Sequence, residues 1–213
     1  MRSCGHGGAS AMLTTKDAIE QRRSIRRFKP DLIPEEHIMA LLDAARLAPS
    51  GSNAQPWRFK IVKDQGTKEK LAQAAYEQAF IAGAPVVVVC CADITGYLDG
   101  TVSGIQDLGK IEAVEERIMK IILDRVDQMK SVKAEEIGQR IALNVAIAIE
   151  HITLRALDFG LGSCWVRLFH EQMVKDIFRW GENIFVVALL PIGYPAESPP
   201  PRKRLKLEDI LME

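Results

Sequence analysis

The chain predicts an α+β protein, a small sheet flanked by helices, and three patterns carry that reading. Two apolar runs, Pro85-Val86-Val87-Val88-Val89-Cys90-Cys91 and Phe185-Val186-Val187-Ala188-Leu189-Leu190, have the length and β-branched character of strands buried on both faces. Ile137, Ile141, Val145, Ala148 and Ile152 repeat at three- and four-residue spacing, which marks a long helix from Ile137 to Leu157. The 213 residues are 47% hydrophobic, enough for one sizeable core in a single domain.

In chain order, Met1 to Ala11 is rich in Gly and Ser, lacks the apolar centre of a secretory signal and reads as a flexible extension. Residues 1–12 are assigned to that extension and 13–213 to the folded domain. A first helix over 14–23 opens with Thr14 and Asp17 at capping-box spacing. A second, over 35–47, has Pro34 at its entrance and Ile38, Leu41, Leu42 and Ala45 on one face. Pro49 and Pro56 bias the residues before them toward extended backbone, so this helix ends near Ala48 and a loop runs to a strand over 57–63.

A helix over 67–82 leads into the strand at 85–92, where Cys90 and Cys91 point to opposite faces. Gly96 to Lys133 is charged and helix-forming, but Gly96, Gly100, Gly104 and Gly109 loosen its start, so the helix is placed at 108–130. The next helix, 134–158, is apolar nearly all round. In a short chain this suggests packing partly against a second subunit, the alternative being a core helix of a single chain. A strand at 162–167, a helix at 170–180 and a strand at 184–192 follow. Pro191 to Arg204 holds five prolines and reads as an extended arm.

Charge and motif counts narrow the function. Lys+Arg and Asp+Glu are each 28, so there is no overall basic surplus of the kind nucleic-acid binders show, and no nucleic-acid signature appears. The longest apolar stretch, Ala84 to Ala92, is too short to span a bilayer. Cys4, Cys90, Cys91 and Cys164 form no C-x-x-C pair and do not cluster with the histidines, so no metal site is expected; buried cysteines suit a reducing cytoplasm.

Two local features do point to chemistry. Ser50, Gly51, Ser52 and Asn53 favour turns, Gly51 permits close backbone approach to a ligand, and Asn53 offers both a donor and an acceptor. Arg22, Arg23, Ser24 and Arg26 crowd together at the end of the first helix, and Arg202, Lys203 and Arg204 close the proline-rich arm. Planar guanidinium forks suit phosphate, and two negative charges call for several of them. A loop or a charged face of ordinary kind has similar composition; the order of the residues separates the readings.

The string Pro49-Ser50-x-x-Asn53-x-Gln55-Pro56-Trp57 with the two basic clusters resembles the nitroreductase family, over Thr14 to Leu205. Members hold FMN and pass electrons from NAD(P)H to an oxidised small molecule. The resemblance implies a mainly antiparallel central sheet and an intertwined homodimer with FMN at each interface, the arm wrapping the partner. It places the FMN phosphate on Arg22, Arg23, Ser24 and Arg26 and on Arg202 and Arg204, with Lys203 pointing outward. Pro49, Ser50, Gly51, Asn53 and Gln55 cradle the ring, and the amide of Asn53 suits its uracil-like edge. Gly160 to Val166 also matches, and the turn at Val166 and Arg167 presents a backbone N–H to flavin N5.

Relatives commonly continue with Gly-Ala where this chain has Arg167-Leu168, which narrows or charges the pocket. The absence of a G-x-G-x-x-G favours FMN over a dinucleotide. The implied activity is ping-pong hydride transfer from NAD(P)H through flavin N5 to a nitroaromatic, quinone or flavin-like acceptor, without a catalytic side chain. Tyr97 is placed to stack on a bound ring, while His37, His151 and His170 read as structural or exposed. The alternatives are a flavin-fragmenting, dehalogenating or azoline-oxidising relative, or a non-catalytic FMN-binding module.

Overall fold

The computed structural model describes residues 13–212, so the 1–12 extension and Cys4 lie outside the described residues. Eight helices and four strands are formed among them: α1 (Thr15–Gln21), α2 (Glu35–Arg46), β1 (Trp57–Val62), α3 (Gln65–Ala74), α4 (Ala79–Gly83), β2 (Val86–Asp93), α5 (Ile94–Lys110), α6 (Glu116–Met129), α7 (Ala134–Ala156), β3 (Gly162–Ser163), α8 (Glu171–Phe178) and β4 (Ile184–Gly193). The strands form one sheet in the order β1-β2-β4-β3, antiparallel throughout.

The two apolar runs became the two central strands because both of their faces are covered. Val86, Val88, Cys90 and Ala92 pack with α2 and α7, while Val87, Val89 and Cys91 pack with α3, α4 and α8. The adjacent cysteines therefore do face opposite layers. A bulge between Cys90 and Cys91 leaves Val187 of β4 without a partner in the register. Most of one face of α7 is sealed on the sheet: Ile137, Ile141, Val145, Ala148, Ile149 and Ile152 are all buried. Gly138 lets α7 approach β4, since a Cβ there would fall 2.4 Å from the Phe185 ring.

Several expected boundaries moved. The helix expected over 67–82 is two helices, broken where Tyr76 and Glu77 take left-handed backbone at φ 57° and 56°. Neither residue type announces such a turn, which is why the sequence pattern ran through it. The helix expected over 108–130 is also divided, and helix already begins at Ile94. The four glycines do not loosen that segment, because Gly96, Gly100, Gly104 and Gly109 all sit inside α5.

The strand expected over 162–167 is regular only at Gly162–Ser163, with a single further bridge from Val166 to Leu189. β4 runs on to Gly193, and Pro195 and Ala196 still bond beside Phe28 and Arg27. The arm thus leaves the body later than Pro191. The Thr14–Asp17 capping box is present, with both reciprocal bonds at 3.1 Å.

Ile149 is fully buried between α7 and the sheet. Ile149→Ala is expected to lower unfolding stability by about 2–5 kcal/mol, read from the urea midpoint. An unchanged midpoint would place α7 outside the core.

Candidate functional site

The predicted site residues fall into an arginine group, a loop group and a turn. The arginine group follows α1. Arg22 closes that helix with its N–H on Ala18 at 3.0 Å, and the chain then runs beside β3, where Ser24 bridges Ser163 and the Ile25 N–H donates to the Ser163 carbonyl at 2.9 Å. Ile25 is buried, which turns its neighbours outward.

Arg22 Nε lies 3.6 Å from a Glu150 carboxylate oxygen, and Arg23 donates only to the carbonyls of Glu20 and Arg22, at 2.7 and 2.8 Å. Arg26 stands over the Phe80 ring at 5.8 Å and has no carboxylate partner among the described residues. Arg27 differs: its Nε is held by Glu197 at 3.0 Å. The same carboxylate accepts the backbone N–H groups of Arg26 and Arg27, at 2.6 and 3.1 Å. These bonds, led by the Arg26 N–H, hold the Glu197 carboxyl below its ordinary value of 4.5. Glu197 thus fastens the root of the arm to the arginine segment.

The loop group sits at the end of α2. Gly51–Asn53 forms a tight 3-10 turn, and Ser52, Asn53 and Gln55 all take left-handed backbone, with φ of 50°, 53° and 48°. Three such residues in four positions hold only because the surroundings fix them. Ser50 Oγ accepts the Gln55 N–H at 3.0 Å, and the buried Asn144 of α7 accepts the Gly51 N–H at 3.1 Å while donating to the Ile141 carbonyl.

From the other side the loop rests on the glycines of α5. A Cβ at Gly100 would fall 2.4 Å from the Ala54 carbonyl oxygen, and one at Gly104 would fall 1.6 Å from that of Ser52. The glycines form a flat strip on which backbone meets backbone. Pro49, Gly51, Asn53 and Gln55 remain exposed, and the Asn53 amide has no hydrogen-bond partner among the described residues.

The turn after β3 is stapled in place. Val166 spends its N–H and carbonyl on Leu189, at 2.9 and 3.0 Å, whereas the N–H of the exposed Arg167 has no partner among the described residues. Gln78 donates to the carbonyls of Leu168 at 3.2 Å and Ala75 at 2.9 Å, and the Tyr76 ring lies tilted beside His170, centroids 4.5 Å apart. The Cys164 thiol lies close by: burial pushes it up, Arg26 and Arg22 pull it down, and Glu197 adds to the rise. Strand, arginine segment and turn therefore share one neighbourhood.

Gln78, Phe80, Asn144, Gly100 and Gly104 were missed from sequence. Asn144 carried one signal, a lone amide in the apolar stretch Ile141 to Ile149. Arg202 and Arg204 are not brought to the other arginines; they stand exposed on the arm, and Arg204 bonds only the neighbouring Lys203 carbonyl.

The two groups attach to different sides of α7, through Glu150 and Asn144. Six helical residues separate them by about 9 Å along the axis and about 120° around it. The donor chemistry fits FMN: unpaired guanidinium groups for a phosphate, an open amide and a free backbone N–H for a polar ring edge.

The profile of the Nitroreductase family matches residues 19–194, most of the chain. The chain belongs to the nitroreductase family. That family consists of FMN-dependent oxidoreductases drawing on NAD(P)H, so the enzyme class and cofactor expected from the sequence stand. Among its nitroreductase-family relatives, the NADH dehydrogenase of Thermus thermophilus is 35% identical over 205 residues, covering 94% of this chain and 96% of that one. The 5,6-dimethylbenzimidazole synthase of Rhodospirillum rubrum is 29% identical, covering 86% and 83% of the two chains. A nitroreductase-class structure from Exiguobacterium sibiricum, solved with FMN, superposes with a TM-score of 0.76 at 21% identity, covering 93% of this chain and 97% of that one. No helix among the described residues is long and apolar enough to cross a membrane.

Two outcomes test the geometry. Gly104→Ala must push the Ser52 carbonyl aside. Overpacking of about 1–3 kcal/mol is expected to weaken FMN binding by about ten-fold with helix content kept, whereas Gly66→Ala, which meets open space, leaves binding unchanged. Flavin fluorescence titration with circular dichroism reads both. Because folding lowers the pKa of Glu197, its contribution is present above pH 4.5 and is lost as pH falls through the depressed value. The Tm advantage of the native chain over Glu197→Gln should therefore vanish at acid pH; an advantage independent of pH would contradict the assignment.

Proposed function

We propose that the chain carries electrons from NAD(P)H to a small oxidised acceptor, such as a nitroaromatic, a quinone or a free flavin, in two half-reactions that share one FMN site. The carrying observation is the contrast between neighbouring arginines. Arg27 is neutralised by Glu197, while Arg23 and Arg26 have no carboxylate partner among the described residues and keep their charge for an outside anion. Arg22, Arg23, Ser24 and Arg26 would hold the phosphate, and Arg202 and Arg204, which stand apart from them in the single chain, would join it once the arm docks on a partner subunit. Pro49, Ser50, Gly51, Asn53 and Gln55 border the ring, with the Asn53 amide against its polar edge. The Arg167 N–H, unpaired among the described residues next to the committed Val166, is the group that would serve the ring nitrogen. Bound FMN supplies the hydride chemistry. The three described thiols take no part: burial pushes Cys91 up to about 12 and raises Cys90 and Cys164 as well. Buried free thiols also suit a cytoplasmic protein.

The working unit is a homodimer. The two groups lie on different sides of α7, which favours the arginine group of one subunit meeting the loop group of the other. The surface supports this reading. Leu143 is 62% exposed and Ile147 37% exposed on α7, one turn apart, and Leu205, Leu207, Ile210 and Leu211 of the arm are open to solvent. Apolar surface on this scale marks an interaction face, and an obligate dimer would bury over about 2,000 Å².

Anaerobic NADH or NADPH is expected to bleach the flavin absorbance of purified protein, and an acceptor to restore it; absorbance unmoved by either nucleotide would identify a storage module instead. Arg26→Ala and Arg204→Ala should each weaken FMN binding by about ten- to hundred-fold, and Arg27→Ala far less. Leu143→Asp should give monomers by light scattering; a flavin-loaded monomer would sink the shared site.

A further inference from the structure

Arg167 stands on a turn anchored from both sides, yet its own side chain is unclaimed. Before it, Val166 is committed to Leu189 through both backbone groups. After it, the Leu168 carbonyl accepts Gln78 Nε2 at 3.2 Å, and the His170 N–H donates to the Ala74 carbonyl at 2.8 Å. Arg167 itself is exposed, and its guanidinium has neither an ion pair nor a hydrogen bond among the described residues. Glu171, the nearest acid in sequence, is taken by Lys175 at 3.0 Å and by the Val186 N–H at 3.2 Å. Glu77, next to Gln78, makes no ion pair with it. The turn therefore carries a full positive charge on backbone that is held in place.

The reading above sets the Arg167 N–H against the flavin ring nitrogen. A fully extended arginine carries its guanidinium ~7 Å from its own backbone nitrogen. In every rotamer, then, the charge stays within roughly 10 Å of the ring atom that the N–H would meet. NAD(P)H delivers a hydride: two electrons and one proton, with one net negative charge. A neutral ring that accepts it gains that charge, and a nearby cation stabilises the charged form over the neutral one. We propose that Arg167 raises the reduction potential of the bound FMN. The proposal rests on the oxidoreductase reading and deepens it. A higher potential strengthens the pull on NAD(P)H. Onward transfer, in which the acceptor takes the hydride equivalent and one proton from water, is then restricted to readily reduced acceptors such as quinones.

The test is the midpoint potential of the FMN-loaded protein, read by equilibration against a reference dye. Arg167→Gln is expected to lower it by about 30 mV, a roughly ten-fold change in a two-electron equilibrium, and the gap should shrink as salt is raised. Arg167→Lys, which keeps the charge, should keep the native potential. Lys60→Gln is the control. Lys60 is exposed on β1 and lies in register, through Val89 and Leu189, with Val166. Three strand spacings put it ~14 Å from the turn, so the same loss of charge there should leave the potential unchanged. An unmoved potential in Arg167→Gln, a gap that salt leaves intact, a shift that Arg167→Lys shares, an equal shift in Lys60→Gln, or loss of FMN binding in Arg167→Gln would each overturn the proposal. Native protein that binds no flavin would remove the oxidoreductase reading and this proposal with it. Native protein whose flavin is bleached by NAD(P)H, with a potential indifferent to Arg167→Gln, would remove the Arg167 assignment alone.

Discussion

Burial of α7 against β2 and β4 takes a row of isoleucine, valine and alanine side chains out of water, and the positions of the site residues follow from it. Once that face is fixed on the sheet, the azimuth of every other residue on the helix is fixed too. Asn144 is turned toward the end of α2, where it receives the Gly51 N–H, and Glu150 toward the end of α1, where it meets Arg22. His151 accompanies them, with its Nδ1 3.0 Å from the Ala44 carbonyl, tying α2 to the same helix. The core helix is thus also the ruler against which two chain segments, distant in sequence, are set.

In the proposed site, the arginine segment that would meet the phosphate and the loop that would border the ring are built by different means. The arginine segment is extended backbone held by the Ser163 carbonyl and by three bonds to Glu197, and what distinguishes its arginines is which guanidinium groups are left without a carboxylate among the described residues. The loop is a strained turn over-determined on two sides by a buried amide and a strip of glycines. Flexible side chains suit a phosphate, a small charged target that can be met from several angles. A rigid backbone suits a heterocycle whose edge must be placed within a few tenths of an ångström.

Much of this could be read from the sequence where one physical demand dominated. Strands buried on both faces leave unbroken apolar runs, and the capping box at Thr14 and Asp17 is local chemistry, so both emerged as expected. The loop and the arginines were legible because their residue order is unusual. What stayed hidden depended on partners remote in the chain. Gly100 and Gly104 look like helix breakers until the loop that lies on them is in place, and tertiary packing overrode their propensity. Tyr76 and Glu77 carry no turn signature, so the break between α3 and α4, and with it the role of Gln78, had no visible cue. The proposed homodimer and acceptor would both depend on surfaces that one sequence does not pair.

The glycine strip has a dynamic corollary. Each glycine inside a helix weakens it by about 1 kcal/mol relative to alanine, and α5 contains four. Such a segment holds little helical stability of its own and draws it from contact with the 50–55 loop, which is itself strained without that contact. The two form a single cooperative unit that opens and closes together, at lower free energy than the α7 core. Hydrogen exchange would therefore find α5 protected less than its regular geometry suggests, in step with the loop rather than with the other long helices.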